Sequence, residues 1–305
     1  MTNLIEAPTS ADVLTAAEAI RRYVRRTPVL RADVDRKPVV LKLEHLQRGG
    51  SFKLRGAVNA LVSGECPVRV VTASGGNHGL GVATASALLG LPATVYVPGR
   101  VPAGKARRIE ATGATLIRHG ATYADAAAAA TEASGQPGTR YVHAYDDPAV
   151  VAGQGTVAAE VIADVPDVDA VVVAVGGGGL AAGTSSAIGD RITYAVEPEK
   201  CCALHEALDA GQPVDVPIDS VAASALGATR VGTVAFAMLN SPRTRSRLVS
   251  DAELLAARDR LWEEFRLAVE PAAAVPFAAW LGGQVTADLP CIVLCSANTD
   301  WVPDA

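Results

Sequence analysis

Apolar residues in this chain fall into two alternating patterns: short continuous runs, and stretches in which they recur every three or four positions. The runs at 39–43, 68–72, 93–97, 115–118, 170–175, 192–196 and 291–295 predict strands, with residues 141 and 142 a further return to extended chain. Helical spacing predicts a first helix over 12–24, with Leu14, Ala17, Ile20 and Val24 on its apolar face and Thr27 and Pro28 ending it. Further helices are expected over 77–89, 102–112, 123–133, 149–163, from 180 onward, and over 202–210, 251–267 and 272–281, with a loop around 213–219. The run at 170–175 is continuous rather than alternating, as a strand covered on both faces should be. Repeated βα alternation of this kind predicts an α/β fold with open, mostly parallel sheets and flanking helices.

Composition narrows the partners. The chain has 305 residues, enough for two domains or one large α/β unit, and half of them are hydrophobic while only 4% are aromatic, so Ala, Val and Leu must build the core. A net charge of −5 without a long basic cluster argues against nucleic acid or an anionic membrane, and leaves a small molecule as the expected ligand. The five cysteines, Cys66, Cys201, Cys202, Cys291 and Cys295, have no disulfide framework or metal-type spacing. With acidic Glu6 near the start, no apolar leader and no long apolar stretch, the expected setting is cytoplasmic.

Three segments carry candidate chemistry. Lys53 follows the turn residues Gly49, Gly50 and Ser51 and precedes Leu54, Ala57, Ala60 and Leu61 at helical spacing, which puts it in a first helical turn facing a cleft. An amine forms a Schiff base only when deprotonated, so such a lysine needs burial or neighbouring charge, whereas most lysines are simply solvated. Gly176, Gly177, Gly178 and Gly179 separate a buried strand from a small-residue helix, where bare backbone N–H groups can converge on a phosphate; a ligand-free turn or a dinucleotide loop are the alternatives. Ser74, Gly75, Gly76, Asn77 and His78 form a second strand-to-helix corner suited to a substrate carboxylate, with Asn77 serving as a ligand donor or as the helix N-cap. A lone histidine at a helix start is commonly structural, so His78 is not assigned proton transfer. Cys295 closes the last strand at the carboxyl end where ligands of open sheets gather, although burial as a small hydrophobe is the common fate of a free cysteine.

Taken together, SFKLRGA, ASGGNHG, VGGGGL and LCSAN, in this order and spacing, resemble the serine/threonine dehydratase family of fold type II pyridoxal-phosphate enzymes, over nearly the whole chain. The segment 41–46 resembles that family's run before its lysine, and Gly153, Gln154, Gly155 and Thr156 ahead of Glu160 match as well. The resemblance implies two sheet domains, 1–68 with 144–305 and 69–143, with pyridoxal 5′-phosphate in the cleft between them. It implies Lys53 as the Schiff-base lysine with Phe52 packed beside it, Asn77 bonded to the cofactor's phenolic oxygen, and the phosphate on Gly176 to Gly179. Cys295 would meet the pyridine nitrogen as a neutral thiol, and Ser74 to His78 would receive the substrate carboxylate. The activity implied is dehydration and deamination of L-threonine or L-serine by a homodimer, with β-replacement, 3-hydroxyaspartate dehydration and a non-catalytic binding protein as alternatives.

Departures from the family pattern sharpen this. Gly75 stands where related serine racemases carry a second serine, so racemisation should be poor. Glu197 lies in a segment resembling the racemases' cation site, but Ala203 replaces an expected aspartate, and no metal is expected there. The sequence ends soon after Asn298, so a C-terminal regulatory domain is not expected, and Arg48 and Gly49 ahead of Gly50 differ from the family's usual turn.

Overall fold

The computed structural model describes residues 7–301, so Glu6 lies outside the described residues. Its strands are β1 (Val29–Val34), β2 (Lys37–Lys42), β3 (Arg69–Ala73), β4 (Ala93–Val97), β5 (Thr115–Arg118), β6 (Thr139–Tyr141), β7 (Ala170–Ala174), β8 (Ile192–Pro198), β9 (Thr244–Val249) and β10 (Pro290–Val293). They form one six-stranded sheet, ordered β1-β2-β10-β7-β8-β9, and one four-stranded sheet, ordered β5-β4-β3-β6. Every pairing between these strands is parallel except the β1–β2 hairpin. Asp35 and Arg36 turn that hairpin with positive φ at both positions, the turn whose twist suits paired strands.

Central strands read as the physics of a doubly covered sheet requires: all five residues of β7 and all four of β10 are buried. The large core joins Val171, Val172, Val173, Ile292 and Val293 to the helix Pro271–Leu281 and its neighbours, and a second cluster around Leu54, Val58, Leu61, Val82 and Val150 lies beneath the lysine helix. Local chemistry fixes the helix starts. Thr122 with Asp125 and Ser250 with Glu253 form capping boxes, and Asp147 caps the helix Pro148–Asp164. No helix among the described residues is long and apolar enough to cross a membrane.

Several sequence expectations need correction. The first helix is Ser10–Ile20 and buries Ile20 as expected, but Val13 and Ala16 take the buried places expected of Leu14 and Ala17, and Leu14 is 65% exposed. The edge strands β1 and β9 carry Arg31, Asp33, Arg245 and Arg247 and so lack a strand-like apolar run, as charged edges that resist further pairing do. The short helix Thr233–Leu239 is an addition to the expected elements. The last strand ends at Val293, and Cys295 lies just beyond it. Three site segments follow parallel strands at their carboxyl ends: Ser74 to His78 after β3, Gly176 to Gly179 after β7, and Cys295 after β10.

Candidate active site

Lys53 opens the helix Lys53–Val62, whose N-cap Phe52 offers no side-chain acceptor to the helix amides. The approach to it is instead set by the backbone. Gly49 and Gly50 turn with φ of 74° and 71°, Ser51 pairs with Ser296, and the Phe52 amide donates to the Cys295 carbonyl at 3.1 Å. This leaves the Lys53 ammonium donating to the Ala144 carbonyl at 2.7 Å and 5.2 Å from the centre of the Phe52 ring. Burial pushes the amine down to about 8, with Cys295 acting the other way. A lysine so placed has a far larger neutral fraction near physiological pH than an ordinary lysine, and the neutral amine is the state a Schiff base demands.

The amine opens on a cavity of about 710 Å³, within the size range of small-molecule sites. No aspartate or glutamate lines it among the described residues, whereas Lys53, Arg100 and Lys105 do, so its electrostatics suit an anionic occupant. Opposite the lysine, β7 runs into Gly176 to Gly179, and Gly178, with φ of 92°, caps the helix Gly179–Ala187. A Cβ on Gly177 would lie 2.2 Å from the Tyr145 ring, so the bare backbone is required for that ring to close over the loop. Backbone donors at a helix N-terminus, with no side chain between them and the cavity, fit a phosphate.

At the second corner, the Ser74 hydroxyl accepts from the Gly76 amide at 3.1 Å and shapes the turn. Gly76, not Asn77, is the N-cap of the helix Asn77–Leu89. Asn77 is freed from capping and bonds elsewhere: its Nδ2 donates to Glu270 at 2.5 Å and its Oδ1 accepts from Asn298 at 2.7 Å. Asn298 also donates to the Gly49 carbonyl at 2.8 Å, tying this corner to the turn before Lys53. His78 turns into the protein, its Nε2 placed 2.9 Å from the Thr72 hydroxyl and 3.0 Å from the Val142 carbonyl. Burial, joined by the Lys53 charge, pushes it down to about 3, so the imidazole is neutral. The first N–H groups of the helix have no partner within it and are the donors this corner offers.

Cys295 is buried with its Sγ 3.4 Å from the Ser296 hydroxyl. Burial pushes its thiol up to about 12, Glu270 acting in the same direction, so it is protonated and can donate. Asn298, the end of the LCSAN run, takes no role from sequence alone, and Glu270 joins the site without a signal of its own. Glu270 sits directly before the N1 proline of a helix, a position where an acid is often only a favourable end charge, and nothing local marks its bond to Asn77. Farther away, Glu197 accepts from the Leu204 and His205 amides at 2.9 and 2.8 Å and so braces the start of the helix Ala203–Ala210. Among the described residues no cluster of three or more His, Cys, Asp or Glu side chains could hold a metal.

The arrangement has known counterparts. L-threonine ammonia-lyase of Geobacter sulfurreducens is 37% identical over 282 residues, covering 89% of this chain and 70% of that protein. L-threonine ammonia-lyase of Thermotoga maritima is 34% identical over 304 residues, covering 96% of this chain and 76% of the relative. Among solved structures, the threonine deaminase of T.th. superposes with a TM-score of 0.90 at 33% identity, covering 97% of this chain and 100% of that one. Maize serine racemase superposes with a TM-score of 0.92 at 27% identity, covering 96% and 94% respectively. The sequence profile of the family described as "Pyridoxal-phosphate dependent enzyme" matches residues 20–296, and with a half-buried lysine, an acid-free cavity and a bare glycine corner in place to receive that cofactor, the chain belongs to this family of pyridoxal-phosphate-dependent enzymes.

Proposed function

We propose that this protein is an ammonia-lyase that eliminates water from L-threonine or L-serine and releases ammonium with 2-oxobutanoate or pyruvate. The observation that carries the proposal is the enclosed Lys53 amine, held at 2.7 Å by the Ala144 carbonyl and opening on the same cavity as both glycine corners. In this reading Lys53 holds pyridoxal phosphate, Gly176 to Gly179 receive its phosphate, Asn77 serves its phenolic oxygen, and Cys295 offers a neutral thiol to its ring nitrogen. When bound, the cofactor supplies an electron sink that acidifies the substrate Cα–H and lets a β-substituent leave.

The remaining work falls to the chain. The Lys53 amine, whose charged form burial disfavours, is the base for the Cα proton. The amides that open the Asn77–Leu89 helix hold the substrate carboxylate and so fix which face of Cα meets the lysine. Elimination rather than racemisation is supported at Gly75, which lines the same cavity as Lys53 and where a Cβ would fall 2.6 Å from the Val101 Cγ2, leaving no room for a second acid–base side chain as it stands. The homodimer, the cytoplasmic setting and the division into 1–68 with 144–305 and 69–143 belong to the same proposal; sedimentation as a monomer would remove the dimer from it.

Absorption spectroscopy with an oxo-acid assay over threonine, serine and 3-hydroxyaspartate tests the reading. The wild type should be yellow and active, and Lys53→Ala colourless with activity lower by at least ~10³-fold. Rapid cysteine formation from O-acetylserine and sulfide, without oxo-acid from any hydroxy amino acid, would replace the lyase with a β-replacement enzyme.

A further inference from the structure

Two residues beyond Lys53, in the same first helical turn, Arg55 is fully buried. Its guanidinium grips Glu44 through Nε at 2.9 Å and Nη2 at 2.8 Å, and grips Glu160 through Nη1 and Nη2, both at 2.8 Å. Longer contacts at 3.2 Å reach the Thr156 hydroxyl and the Arg25 carbonyl. Lys42, also fully buried, donates to Glu160 at 2.6 Å and to the Thr27 carbonyl at 2.7 Å, and the Thr27 hydroxyl donates to Glu44. The cluster therefore holds two cations and two carboxylates, balanced in charge and closed by hydrogen bonds. Only a guanidinium supplies enough donors in a fixed plane to hold two carboxylates at once.

The acceptors come from separate parts of the chain. Glu44 follows β2, while Thr156 and Glu160 lie on the helix Pro148–Asp164, which begins four residues after Ala144. That placement matters because Ala144 is the carbonyl that holds the Lys53 amine. The two helices approach closely through glycines: a Cβ on Gly153 would lie 2.7 Å from the Gly56 Cα. Farther along the lysine helix Asn59 donates to the Ala149 carbonyl at 2.7 Å and the Gly56 amide to Gln154 at 3.3 Å, and the Arg55 fork is the contact that ties the first turn both to the helix Pro148–Asp164 and to Glu44. The start of the lysine helix has no side-chain cap to do so.

We infer that Arg55 is a positioning residue for Lys53: it does not line the cavity, and it fixes the first turn of the lysine helix against the segment that presents Ala144. The inference rests on Lys53 being the cofactor lysine. It assigns Glu44, Glu160 and Lys42 the supporting task of holding the guanidinium in one plane.

The test strips and reloads the full-length protein as Arg55→Lys and as Thr156→Val, after circular dichroism and melting have established which variants fold. The readout is the rate at which added pyridoxal phosphate develops visible absorption, measured across pH with no amino acid present, followed by kcat and KM. Arg55→Lys keeps a cation but cannot hold both carboxylates in one plane. It should slow capture about tenfold or more, move the pH of half-maximal capture upward, and lower kcat with KM nearly unchanged. Thr156→Val removes one edge contact and should shift capture in the same direction by less. A folded Arg55→Lys with a lowered Tm but wild-type capture, pH midpoint and kcat overturns the inference, leaving Arg55 a purely structural residue. Should Arg55→Lys fail to fold, Thr156→Val decides: slower capture supports the assignment, and unchanged capture with a lowered Tm overturns it. Visible absorption that persists in Lys53→Ala would instead remove the lysine assignment beneath it.

Discussion

The two glycine corners are built from the same parts, a parallel strand running into a helix, yet they are finished differently. Gly177, Gly178 and Gly179 are buried and closed in by Tyr145, Val231 and Ala235, so the backbone alone faces the cavity and has little freedom to move. Ser74 to Asn77 are only half-buried, and their shape depends on side-chain bonds from Ser74, Glu270 and Asn298. A rigid, bare nest suits a group that stays bound. A corner held by side chains, one of them reaching back to the turn before Lys53, suits a ligand that arrives and leaves each cycle.

The strongest way to break this contrast is Gly177→Val, whose side chain would strike the Tyr145 ring. Cofactor affinity should fall by about 100-fold or more, seen as loss of visible absorption at micromolar pyridoxal phosphate, while the fold persists by circular dichroism. Full colour in that variant would show that the phosphate sits elsewhere. Gly75→Ser probes the other corner and should leave the colour intact. The crowding against Val101 should raise KM for threonine about tenfold, and an unchanged KM would separate this loop from substrate binding.

The smallest expected effect is a pH dependence. Burial lowers the Lys53 amine to about 8, so folding disfavours the charged form. Cofactor capture should accordingly rise with pH and level off above about 8, several-fold faster at the plateau than at pH 7. The same sign makes the cofactor-free protein gain stability as pH climbs from about 8 toward the ordinary lysine range, where the unfolded chain holds the extra proton, and then level off. A capture curve still rising steeply well above pH 8 would mean that the amine is not enclosed.

What could be read from sequence was local. Lys53, both glycine corners and Cys295 are marked by unusual residues at strand or helix ends, and the structure brings all of them to one cavity. The buried runs of β7 and β10 declared themselves because both faces are covered. Contacts between distant segments were not legible. Arg55 reads as an ordinary helical arginine until Glu44 and Glu160 are folded against it, and Glu270 shows no partner until Asn77 is brought beside it. The edge strands failed for the opposite reason: their charges protect an edge and thereby erase the apolar pattern that would reveal a strand. On the first helix, two competing apolar stripes differ by one residue, and only packing chose Val13 over Leu14.

The main-chain pairing of Ser51 with Ser296, and of Phe52 with Cys295, makes neighbours of segments far apart in the sequence through atoms that no side-chain substitution removes. A chain still growing on the ribosome cannot complete the turn before Lys53 until the strand Pro290–Val293 and the residues just after it have emerged. If Lys53 is the cofactor lysine, a product truncated before the strand Pro290–Val293 should fail to capture pyridoxal phosphate.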